Sequence, residues 1–60
     1  MNNAQVYQKM ASGMESFHRA LSFLYAQDAE MNNQKIKEQL DSARDDFTLV
    51  IMELENRLGE

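Results

Sequence analysis

Glu15-Ser16-Phe17-His18 reads as Glu-x-x-His, the spacing by which a helix offers a carboxylate and an imidazole to one di-iron centre. Each residue on a helix is turned about 100° from the last. With Phe17 facing a core, His18 therefore falls at the boundary and Glu15 points to water. His18 is the single histidine and cysteine is absent, so neither a second imidazole nor a thiolate exists to complete a metal site, and no metal is expected. Asp45-Asp46, with Asp41 a turn earlier, could hold a cation or do acid/base work. No oxygen-rich, glycine-containing loop accompanies them, and a solvated acidic face is the simpler account. Ser12, Ser16, Ser22 and Ser42 would all share His18, and on an outer or flanking helix surface they have no loop of backbone donors to hold an oxyanion. The two glycines, Gly13 and Gly59, cannot build a phosphate-cradling loop. The chain is expected to be a non-enzyme without a cofactor.

The elements that must position these residues are few. A chain of 60 residues withdraws only about 60% of its unfolded surface from water, and a lone core of this size seldom supplies more than about 3–5 kcal/mol. With no cysteine to form disulfides, the remaining staple is another protein surface, and self-association is expected. A net charge of −4 and a pI near 4.8 argue against sequence-independent nucleic-acid binding, which depends on Lys and Arg displacing counterions from phosphates. No apolar run reaches the ~18 residues of a membrane span, and Met1-Asn2-Asn3 lacks the basic and apolar start of a signal peptide, so a cytoplasmic setting without membrane contact is expected.

Apolar or small residues recur at helical spacing in both halves: Val6, Met10, Gly13, Phe17, Ala20 and Leu24, then Ile36, Leu40, Ala43, Phe47, Val50 and Leu54, each 30 positions after its counterpart. Two helices follow, over about 3–27 and about 33–58, with the turn within 27–33. Asn2 or Asn3 can cap the first helix, with Gln5 completing a capping box after Asn2. Asp28, Asn32 or Asn33 can cap the second, and Gly59 can end it. Glu15 with Arg19, and Glu53 with Arg57, add i,i+4 pairs worth about 0.3–0.5 kcal/mol each.

So short a connection gives an all-α, antiparallel two-helix hairpin. A turn centred near residue 30 sets facing residues at numbers summing to about 60, so Gly13 meets Phe47 and Phe17 meets Ala43, large against small. A mid-helix glycine, which costs about 1 kcal/mol against alanine, then has a reason to be there. Tyr7, Met14, Leu21, Ile51 and Leu58 lie beside this seam, with Leu49 and Met52 flanking more widely. A two-helix layer cannot cover them all. These seven are the expected partner interface, and a second hairpin completing a four-helix bundle is the simplest cover. The run Leu49-Val50-Ile51-Met52, apolar all round the helix, could instead meet a different protein.

Leu40, Ala43, Val50-Ile51, Leu54 and Arg57-Leu58, taken with Met10-Ala11-Ser12, Ala20-Leu21 and Gln27-Asp28, resemble a family of short helical-hairpin proteins of unknown function from endospore-forming bacteria. That resemblance implies a hairpin with no assigned activity, and this chain departs from it by the extra Met31-Asn32-Asn33 at the connection. In architecture alone the chain is similar to the Rop family, plasmid-encoded hairpins that dimerise into four-helix bundles and bind paired RNA loops. On that comparison Lys9, His18 and Arg19 would be the RNA contacts, a sparse set against the basic stripe that RNA backbones require. The leading expectation is a self-associating, non-enzymatic protein-interaction module, a regulator or adaptor. The alternative is a dimeric RNA-binding regulator.

Overall fold

The computed structural model describes residues 1–25 and 33–59. They form two α-helices, α1 (Asn3–Tyr25) and α2 (Gln34–Leu58), and no strand. The connection within 27–33, and Asp28 and Asn32 as caps, lie outside the described residues.

Both helices start where side chains replace missing backbone partners. The Asn2 side-chain oxygen accepts from the Gln5 N–H at 2.8 Å, and the Gln5 side chain accepts from the Asn2 N–H at 2.9 Å, a reciprocal capping box. Asn33 caps α2 by accepting from the Lys35 N–H at 2.8 Å. At the far end Gly59 donates to the Glu55 carbonyl at 2.9 Å and keeps a right-handed backbone, so the left-handed freedom of glycine is not used there.

The helices run antiparallel, as shown by cross-helix contacts whose numbers fall on one side as they rise on the other. The Met1 amine meets Glu53, Lys9 meets Asp46, Ser16 meets Ser42, and Lys35 sits over the Phe23 ring. The predicted apposition of Gly13 and Phe47 is present: a Cβ placed on Gly13 would lie 2.6 Å from the ring's Cε1.

The seam keeps Gly13, Ala20, Ile36 and Ala43 of the predicted one, but on α1 it is rotated toward Ser16. Its buried residues are Gly13, Ser16 and Ala20 on α1 and Ile36 and Ala43 on α2. Ser16, assigned from sequence to an outer or flanking surface, is 6% exposed, whereas the seam candidates Phe17 and Leu40 are 42% and 38% exposed. Met10 and Leu54 are likewise exposed. Small side chains explain the rotation, because Gly13, Ser16, Ala20 and Ala43 let the backbones approach closely, which Met10 or Phe17 at the centre would prevent. Larger apolar residues are thereby displaced to one flank. The result is a slab of 45 × 18 × 12 Å, one helix thick, in which no large side chain is fully buried.

Candidate functional site

The two long edges of this slab differ chemically. On one edge the helices are tied by polar links. Lys9 Nζ lies 3.7 Å from Asp46, Ser16 Oγ lies 3.4 Å from Ser42 Oγ, and the Met1 amine donates to Glu53 at 3.1 Å. Gln5, Gln8 and Ser12 line a shallow hollow beside Met1 and Lys9. The Met1 amine and the Arg57 guanidinium, which also donates to Glu53 at 3.1 Å, hold the Glu53 carboxyl below the usual carboxylate range. Arg57 further ties the chain ends together by donating to the Asn3 side chain at 2.7 Å and to the Met1 carbonyl at 2.6 Å. Asp41, on α2's solvent side, is held below the usual range by the Lys37 ammonium at 2.6 Å, one turn away on the same helix.

The opposite edge is apolar. Val6 and Met10 of α1 and Val50 and Leu54 of α2 line one groove together with Glu53 and Arg57, so apolar residues of both helices open to the same side with an ion pair at its margin. Helical spacing extends this face. Met14 and Phe17 follow Met10 by four and seven residues, and Leu21 follows Phe17 by four. On α2, Leu40 and Leu54 lie two turns either side of Phe47, while Ile51 and Leu58 follow Phe47 and Leu54 by four. Met10, Met14, Phe17, Ile51 and Leu54 are all exposed, and on α2 two charged residues border the stripe: Arg44, one turn after Leu40 and two turns before Ile51, and Glu55, one turn after Ile51.

Of the seven residues expected at the interface, Met14, Leu21, Ile51 and Leu58 belong to this face, and Tyr7, 73% exposed, flanks it on the outer side. Two do not belong. Leu49 lies two turns beyond Ser42 and so on the polar edge, and Met52 lies two turns beyond Asp45, whose side chain is 75% exposed, on the back of α2. Helical spacing already sets Leu49 about 200° and Met52 about 100° round from Ile51, and the rotation of α2 decides which of the three joins the face. Conversely, Met10, Phe17, Leu40 and Leu54 had been assigned to the internal seam and emerge as surface of the same face. The signal that could have found this was the run of small residues Gly13, Ser16, Ala20, spaced three and four apart as a seam of its own.

The chemistry-bearing residues are dispersed. Glu15 is bound by Arg19 at 2.6 Å and is 65% exposed, and His18 is exposed beside it and Met14. Among the described residues no three His, Asp or Glu side chains gather in a way that could hold a metal ion. The candidate RNA contacts do not form one patch either. Lys9 is paired with Asp46 on the polar edge, Arg19 with Glu15, and His18 follows Met14 by one turn toward the outer side. No described helix is long and apolar enough to cross a membrane. No family model, curated protein or solved structure matches this chain.

Proposed function

We propose that this chain is a non-enzymatic protein-interaction module, a small cytoplasmic regulator or adaptor that self-associates and works through the apolar face of its hairpin. One observation carries the reading: large apolar side chains of α1 and α2 open to the same side and stay exposed, with charged residues only at the margin and no second layer to cover them. Removing such a face from water is worth about 25 cal/mol per Å², the dominant drive for one helical surface to bind another. The chain's net charge of −4, together with the pairing of Lys9 and Arg19 within the molecule, disfavours RNA as the partner.

Photo-crosslinking inside the expressing cell tests this. A photoreactive residue at position 14, on the apolar face, should give protein adducts, and one at position 8, beside the polar hollow, should not. RNA adducts whose yield falls steeply with added salt would replace this reading with the nucleic-acid one. An absence of adducts at position 14 would remove it.

A further inference from the structure

Resting on that reading, we infer that the occupant of the apolar face is a second copy of this chain, seated face to face, and that Leu49 and Met52 stay outside the contact.

Area is the first argument. A compact monomer of 7.0 kDa exposes about 4,000 Å², whereas this chain exposes 4743 Å², an excess of about 700 Å². A standard protein interface takes about 800 Å² from each partner, so one partner covering one face would bring the surface down to that of an ordinary folded body.

The shape of the face is the second. It runs from Leu58 and Met10 at one end of the slab to Phe17, Leu21 and Leu40 toward the other, along a 45 Å body. An occupant must therefore be long and apolar on one side, and a second hairpin has that length and that surface. Stacking two slabs, each one helix thick, produces the two-layer four-helix arrangement in which helical faces are ordinarily buried.

Charge is the third. Two chains of net charge −4 repel, and the contact forms only if their carboxylates are kept apart. Here Asp46 and Glu53 are held on the polar edge by Lys9 and by the Met1 amine, and Asp45 lies on the back of α2. Apposed apolar faces thus leave these groups on the outside of the assembly, with Arg44 and Glu55, which border the face beside Ile51, at the rim of the contact. Added salt, by screening the residual repulsion, should strengthen the association, opposite to the response of an RNA complex.

Sedimentation equilibrium with three variants tests the inference. Wild type should sediment as two chains. Met14→Glu and Phe17→Glu should weaken association by about 100-fold or more, as expected for a charge placed in a desolvated contact, whereas Leu49→Glu should keep the mass of two. If the charged variants also lose helicity, isotope-filtered NOEs on a mixture of labelled and unlabelled wild-type chain decide the point. Contacts between copies should arise from the methyls of Met10, Met14 and Leu54 and be absent at Leu49 and Met52. A dimer broken by Leu49→Glu and not by Met14→Glu overturns the assignment of the face. A single-chain mass at every concentration, with crosslinks from position 14 to a different protein, overturns the second copy and the self-association with it, and leaves only the reading of this face as a protein-binding surface. A single-chain mass with no crosslink from that position removes both.

Discussion

Replacing Gly13 by alanine sets two known effects against each other. Gly13 sits inside α1 with ordinary helical backbone, so alanine should raise helix stability by about 1 kcal/mol. Against this, the added Cβ would lie 2.6 Å from Phe47 Cε1 and 2.9 Å from both Cδ1 and Cζ, against an ordinary contact of 3.4–4 Å. Three atoms of one rigid ring are involved, so the ring must tilt toward the open face or the helices must part by roughly 1 Å. Overpacking of this kind costs about 1–3 kcal/mol. The net expectation is a loss of about 0–2 kcal/mol, and for a chain of this size each kcal/mol lowers the melting temperature by about 4–8 °C. The sign should reverse once the ring is gone: in a Phe47→Ala background, Gly13→Ala should stabilise by about 1 kcal/mol. Thermal melts followed by circular dichroism at one fixed chain concentration, for the four proteins of this cycle, measure the coupling directly. A Gly13→Ala substitution that raises the melting temperature equally in both backgrounds would falsify the Gly13–Phe47 register, and with it the pairing of the two helices.

Three further outcomes follow from the same geometry. Asn33→Ala removes the side-chain acceptor of the Lys35 N–H and should cost about 1 kcal/mol in a urea titration; an unchanged midpoint would mean the cap is not formed. Ser16→Ala should be neutral or slightly stabilising, because exposed Ser42 can turn to water, whereas Ser16→Leu should cost about 1–3 kcal/mol. Equal tolerance of both would put Ser16 outside the seam. The Glu53 carboxyl is held low by the Met1 amine and Arg57, so its contribution to stability is complete above the ordinary carboxylate value and is lost as pH falls through the lowered folded value. The gap in melting temperature between wild type and Glu53→Gln should therefore be open at neutral pH and close on acidification below about pH 4, and a gap constant across that range would show that the ion pair contributes nothing.

Much of the fold was legible in local pattern. Asn2 with Gln5, and Asn33, place the helix starts through hydrogen bonds made within a few residues, and such contacts depend on little beyond the chain's own order. Gly13 opposite Phe47 was readable for a related reason: a glycine in mid-helix needs an explanation, and in an antiparallel pair the ring 34 positions away supplies one. The rotation of each helix about its axis was less legible. Both helices carry an apolar stripe wider than a two-helix contact can cover, so many seams satisfy periodicity equally well. Met10, Phe17, Leu40 and Leu54 fit the pattern of a seam and nevertheless lie outside it.

Composition and period by themselves determined that the chain is helical, that its two halves fold back on one another, and that they hold more apolar surface than one hairpin can hide. Tertiary structure added Ser16 to the Gly13, Ala20, Ile36 and Ala43 that period had placed in the seam, and left Met10, Phe17, Leu40 and Leu54 outside it. Close approach of the backbones at Gly13, Ser16, Ala20 and Ala43 adds dispersion contacts along that part of the pair, a gain that exists only when both helices are present. That choice turns most of the large apolar side chains to one edge and the cross-helix ion pairs Lys9–Asp46 and Met1–Glu53 to the other, and it sets Ile51, and not Leu49 or Met52, on the apolar side.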